Sequence, residues 1–438
     1  MVFVFTLIFA LLSPAPSQAN ALMSVGKKVW QDRFDSRCFT KAKIKGQKVT
    51  RLWRAQYHDS FYLPPVADDQ GNILVLSDSG VLIILNKSGK QIAKTIAMGR
   101  VSQPPLVLDD NTIVIVTQEK GIYFFNPDGT FKSILAVNTM LKDGVVPTGN
   151  NIAIATHERS LIIVKSNGGV QKTIKFQDDI STPPVIRPDG SIAVAIDDSS
   201  IHIFDTRGRR LKKRTFNSRS RASAMASGLN GEIAVVIFPR TIQIINDDGS
   251  LGESIGIGGN PQHPPVFLSK DRLAVSLGDF VDQIQFIKTD GSDDTTYTMG
   301  DGHYATHTPL VAKDGTVVAV SKKGDLFFLT PLGSLKGRFM LGPATAGTRL
   351  PVLLNDGTAV IGWEDGGIYF VNTDGSLHGK FELRDKNSRS QLLALADDRV
   401  VAATNSGEIF MIKLSTKERL RHLVWQTSDC PTSDLKAD

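Results

Sequence analysis

The chain has 438 residues, 41% apolar and 21% charged, with 38 Gly, 20 Pro and only two Cys. That is an ordinary globular composition, and it excludes a collagen-like, disordered or disulfide-dense chain. The net charge of +6 is a mild bias that points away from nucleic acid, and no interior stretch approaches the roughly 18 apolar residues of a membrane-spanning helix.

Val2 to Leu12 reads VFVFTLIFALL, too short to span a bilayer as a stable helix. Ser13-Pro14-Ala15-Pro16 follows, and small residues at Ser17 and Ala19, or Ala19 and Ala21, fit a signal-peptidase site. Residues 1–21 therefore read as a signal peptide and 22–49 as an N-terminal extension. No Lys or Arg precedes the apolar run, so a start at Met23 is the alternative. The segment is uncharged, and the mature chain keeps its +6. No cysteine follows the cleavage region, which argues against a lipid anchor.

From there one pattern repeats nine times. Aligning the first apolar residue of a short strand gives Ile73, Ile113, Ile152, Ile192, Ile233, Leu273, Val317, Ala359 and Val400, at steps of 39 to 44 residues. Eight residues upstream stands Pro65, Pro105, Pro184, Pro265, Pro309 or Pro351; the third, fifth and ninth copies have Gly144, Met225 and Leu392 instead. A tight turn and a second apolar strand follow, as in Ser79-Gly80 before VLIIL. Next comes a turn such as Asn126-Pro127-Asp128-Gly129, then a more polar strand such as Gln91–Ala97. Gly supplies the positive φ such turns need, and Asp or Asn bonds its own backbone.

Each unit is four short antiparallel strands. The middle two are Val/Ile-rich without alternation, as in strands buried on both faces. The fold class is thus all-β: a single β-propeller over residues 50–426, with a tail at 427–438. Nine blades are counted, and eight with one degenerate unit is the alternative. Arg51–Tyr57 at the front and Leu420–Gln426 at the back are the candidates for the closing strand.

These repeats, with Pro-Pro-Val/Leu, Asp-Asp or Asp-Gly, I-x-V and then x-Gly-I-x-x-x-N, resemble those of the pyrroloquinoline-quinone-enzyme-like propellers over about residues 50 to 425. Within that family the chain is more similar to the non-catalytic periplasmic propellers of the outer-membrane-assembly lipoprotein type than to the dehydrogenases. The dehydrogenases repeat a Trp in nearly every blade, whereas this chain has Trp30, Trp53, Trp363 and Trp425. They also carry adjacent cysteines over the quinone, whereas Cys38 and Cys430 lie at opposite ends of this chain.

Chemical constellations are sparse. The Asp-Gly turns lack the ligand spacing of a calcium loop, Asp290-Gly291-Ser292-Asp293-Asp294 coming nearest. They read as structural turns. His303 and His307 have i, i+4 spacing but sit among Gly300, Gly302 and Pro309, a loop context that does not favour a metal pair. No Gly-x-Ser-x-Gly element is present, and Gly256-Ile-Gly-Gly259 leads to no phosphate-loop Lys.

The densest basic run is Arg207, Arg209, Arg210, Lys212, Lys213, Arg214, Arg219 and Arg221. It reads as a guard on an outermost strand edge, or as a site for an anionic partner. The residue ten positions before each aligned strand should sit at a mouth of the central channel. Around the ring it is Leu63, Gln103, Lys142, Thr182, Ser223, His263, His307, Arg349 and Ser390. Three successive units then present His263, His307 and Arg349, either as solvated loop residues or as an acid-sensitive anion site.

The expectation is a monomeric, non-enzymatic binding or scaffolding propeller of the bacterial cell envelope, periplasmic or secreted. Its partner would be a protein or an anionic envelope component, with no cofactor, metal or nucleic acid. The alternative is a propeller enzyme, quinone-dependent or carbohydrate-active. In an oxidising compartment Cys38 and Cys430, just outside the array, would pair across the closure seam.

Overall fold

In the second strand of the first repeat, Ile73–Leu76, all four side chains are fully buried. Leu74 and Leu76 point into a cluster with Ile113, Ile115 and Phe125 of the next repeat. Ile73 and Val75 point the other way, onto Val401, Ile409 and Met411 of the last. Alternate residues of a strand leave opposite faces, and here both faces meet another sheet. That is why the run is continuously apolar. Burying each such side chain contributes about 1.5–3 kcal/mol.

The computed structural model describes residues 49–414 except 119–120, 138–140, 217–220, 262, 279–281, 293, 301, 343–349 and 387. These residues form nine four-stranded antiparallel sheets. Nine apolar clusters fill the nine seams between consecutive sheets, and the ninth joins the last sheet to the first. The molecule is a nine-bladed β-propeller, and the eight-blade alternative is set aside.

Eight blades are built in chain order, the first strand innermost and the fourth on the rim. The ninth is composite. Its inner three strands are Ser390–Ala394, Arg399–Thr404 and Glu408–Leu414, and its rim strand is Val49–Gln56 from the other end of the chain. The two ends pair antiparallel from Val49 opposite Leu414 to Gln56 opposite Glu408. The N-terminal candidate therefore closes the ring, and Leu420–Gln426 lies outside the described residues.

Proline sets the length of the inner strands. In the six repeats with Pro at the upstream position, the inner strand begins on the next residue. Five of these strands have two residues, such as Val66–Ala67 and Leu106–Val107, and Val266–Ser269 has four. Proline has no N–H to give to the ladder. The repeats without it have longer inner strands, Leu141–Thr148, Ala222–Ser227 and Ser390–Ala394.

The turns before the rim strands hold neighbouring blades together. In the first, Asn86-Lys87-Ser88-Gly89, Gly89 at φ 80° donates to the Asn86 carbonyl. A Cβ on Gly89 would collide with the Trp53 indole of blade nine, and one on Gly129 would stand 2.7 Å from the Ala93 methyl of blade one. Each turn glycine thus lets one blade close on the rim of another.

Candidate functional site

The residues ten before each aligned strand lead into the innermost strands, or, like Ser223 and Ser390, lie near the start of one. Several of those described bond to nearby backbone. Gln103 makes two hydrogen bonds to Val145 in the next blade, its Nε2 donating to the carbonyl at 3.1 Å and its Oε1 accepting from the amide at 3.2 Å. Thr182 is buried, and the Ser223 hydroxyl donates to the Val236 carbonyl at 3.4 Å. Ser390 lies in the inner strand of blade nine, against Gly362 of blade eight.

His263 and His307 differ. Their rings stack across the seam between blades six and seven, with centroids 6.2 Å apart and planes 16° apart. His263 is hydrogen-bonded to the Ala305 carbonyl, and His307 Nδ1 lies 2.9 Å from the Thr306 hydroxyl. Thr308 reaches back to the Pro264 carbonyl at 3.3 Å, fixing the two loops to each other. Arg349, expected beside them, lies outside the described residues.

Burial pushes both imidazoles below their ordinary range. His307 falls to about 4, chiefly by desolvation and then by the neighbouring His263. Desolvation also lowers His263, opposed by the Ala305 bond. The expectation that both charge near pH 6 is corrected for His307: it is neutral there, a donor and acceptor rather than a cation.

His303 goes elsewhere. Its Nδ1 lies 3.3 Å from an Asp325 oxygen and 3.2 Å from the Ser321 hydroxyl, and its Nε2 lies 3.2 Å from Arg338 Nη2. Arg338 pairs with Asp325 through Nε at 3.0 Å and covers the Phe327 ring at 5.1 Å. His303 and His307 thus form no metal pair. Among the described residues no three His, Cys, Asp or Glu side chains are grouped to hold a metal ion. The turn carboxylates are engaged locally: Asp128, Asp248, Asp290 and Asp374 each accept the amide two residues on, at 2.7–2.9 Å.

Solved structures similar to this chain share its architecture at low identity. BamB from Moraxella catarrhalis matches with a TM-score of 0.53 and 13% identity, over 86% of this chain and 99% of that one. Saccharomyces cerevisiae Sqt1 matches with a TM-score of 0.54 and 11% identity, over 83% and 99%. The computationally designed Ika8 protein matches with 0.50 and 11%, over 84% and 100%. The shared feature is the propeller fold. A designed protein beside two natural ones makes the likeness one of architecture, and fold alone does not carry function. No protein-family model and no curated protein matches the chain.

The basic run is placed as expected, on the rim of blade four. Arg207 and Arg209 lie in its last turn, and Arg210, Lys212, Lys213 and Arg214 lie on its rim strand Arg210–Thr215. Arg209 pairs with Asp205 and Lys213 with Asp198, both at 3.1 Å. Arg219 falls outside the described residues, and Arg221 pairs with Asp197 at 3.2 Å. Cys38 and Cys430 also lie outside them.

One residue escaped sequence reasoning. Arg187, only 7% exposed, sits five residues before its aligned strand, where the first two repeats have Asp68 and Leu108. Its Nε donates to the Gly231 carbonyl at 2.7 Å, and it also reaches the Asp247 carbonyl, so it clamps blade four to blade five. The only signal was an arginine at a position that is apolar in most repeats, as Leu108, Leu268, Ala312, Leu354 and Leu395.

Proposed function

We propose that this propeller is a non-enzymatic binding or scaffolding protein of the bacterial cell envelope, acting as a monomer through the loops at the His263–His307 end of the ring. The observation that carries this reading is the stacked pair itself. At this radius Gln103 and Ser223 bond to the backbone of a strand. The two imidazoles instead stack on each other at the loop end, held by Ala305 and Thr306. Ligand sites favour such places, with a few converging polar groups on a rigid frame. The export-type N-terminus supports the envelope, and the likeness to BamB is compatible with it.

The test is site-specific photo-crosslinking in intact cells, with the probe placed at Tyr304 or, as a control, at Lys336 on a rim strand. A discrete adduct from position 304 that disappears in the His263→Ala, His307→Ala double variant is the expected result. Adducts from the rim position alone would overturn the mouth as the binding surface. Dye-linked dehydrogenase activity on adding pyrroloquinoline quinone and calcium to the purified protein would overturn the non-enzymatic reading.

A further inference from the structure

We infer that the rim of blades three and four is a docking surface for an anionic lipid membrane. The argument begins with charge placement. Residues 49–414 carry equal numbers of basic and acidic side chains. Positive charge on the ring is therefore a matter of position, and it concentrates on one edge. Four of the six residues of the rim strand Arg210–Thr215 are basic, while none of the other eight rim strands has more than two.

Edge protection does not account for that density. Basic side chains do keep a sheet edge from pairing with another chain. Yet the rim strands Leu251–Gly256 and Asp294–Thr298 have no Lys or Arg at all. The surplus on blade four therefore calls for a partner.

The neighbouring groups leave the patch positive. Asp205 and Asp198 engage Arg209 and Lys213. Asp248, in the turn of blade five, faces Lys212 and Arg214 across the seam. Exposed Arg207 and Arg210 have no acidic partner within ion-pair distance among the described contacts, and exposed Lys172 of blade three reaches the Gly208 turn between them.

The shape decides which anion fits. A six-residue strand spans about 20 Å, and this one lies on the outer edge of the ring with nearly all of its residues exposed. Leu211 and Val170, 42% and 51% exposed, stand among the basic side chains. Basic heads interspersed with apolar groups on an exposed outer edge suit lipid headgroups over a shallow acyl boundary. Duplex or single-stranded nucleic acid would call for a groove or stacking aromatics, and the nearest aromatic, Phe216, is buried. This inference does not rest on the His263–His307 end.

The experiment is co-sedimentation of the purified protein with phosphatidylcholine vesicles, with and without one third phosphatidylglycerol, at low and at physiological salt. Wild type should bind only the anionic vesicles and release as salt shortens the screening length. The Lys172→Gln, Arg207→Gln, Arg210→Gln, Lys212→Gln variant should bind at least tenfold more weakly. A charge-matched variant, Lys87→Gln, Lys90→Gln, Lys270→Gln, Lys322→Gln, should bind as wild type, and so should His263→Ala, His307→Ala. Unchanged melting of each variant keeps the comparison one of surface. Failure of wild type to bind anionic vesicles, or equal loss in both charge variants, would overturn the proposal. So would rim-dependent binding to duplex DNA without binding to vesicles.

Discussion

The Trp53 indole, on the strand that closes the ring, donates its N–H to the Lys87 carbonyl of the first blade at 3.1 Å and lies flat against Gly89. This contact joins the two ends of the repeat array. Trp53→Ala should lower stability by about 2 kcal/mol, less than the 3–5 for a fully buried aromatic because the ring is only partly buried. Gly89→Ala should cost at least 1 kcal/mol, since it combines a disfavoured φ with a collision. Urea unfolding of both variants checks this. If either unfolds like wild type, the closure contact is not limiting.

His202 gives an acid sensitivity with a defined sign. It is 5% exposed, stacks on Phe204 and has a buried Nδ1 without a partner among the described residues. Burial lowers its pKa from 6.5 to about 4, with Lys213 adding to the effect. Above pH 6.5 neither folded nor unfolded chain binds the proton. As pH falls from 6.5 toward 4 the unfolded chain takes it first, so stability is lost across that window. The full shift corresponds to roughly 3 kcal/mol. His202→Phe should gain on wild type by up to that amount between pH 7 and pH 4. A constant difference in unfolding free energy across the range would contradict this.

Arg187→Met tests the clamp between blades four and five. The substitution keeps much of the side-chain volume but leaves the Gly231 and Asp247 carbonyls without their donor. A loss of about 2–3 kcal/mol is expected, with hydrogen exchange accelerated first at Gly231 and along Ile233–Ile237. Uniform acceleration over the whole ring would count against a local clamp.

For the cysteines, Val49 and Leu414 are paired, and Cys38 and Cys430 lie 11 and 16 residues beyond that pair. Both tails therefore leave from one point of the ring, within reach of each other. We propose a Cys38–Cys430 disulfide in the exported protein. In the chain-entropy model so long a loop contributes on the order of 6 kcal/mol as an upper figure. Non-reducing mass spectrometry should find the linked peptide, and Cys430→Ser should lower the melting temperature. Two freely alkylated thiols in envelope-derived protein would refute it.

The nine-fold repeat was legible because most turns announce themselves by a Gly, often after Asp or Asn, and the buried strands by runs rich in Val and Ile. The positional equivalence that set His263 beside His307 was legible for the same reason: a ring converts sequence period into spatial adjacency. What could not be read was desolvation. His307 at a loop position looks solvated in sequence, yet it is largely buried against His263 and is held neutral. The choice of closing strand was also hidden, because RLWRAQY and LRHLVWQ have similar patterns, and only pairing with Glu408–Leu414 distinguishes them.

The composite last blade also imposes an order on synthesis. Val49–Gln56 leaves the ribosome long before its partner Glu408–Leu414 exists. At about 5–20 residues per second the wait is tens of seconds. Over that time the outward face of the first blade, with Ile73 and Val75, has nothing to cover it, because Val401 and Met411 are not yet made. The waiting strand is suited to the delay: Thr50, Arg51 and Arg54 interrupt it, so it can stay in water without recruiting another chain. A nascent chain stopped anywhere in the ninth repeat would thus be left as an open arc with two sticky faces, and quality control would meet it as one defect whatever the position of the stop.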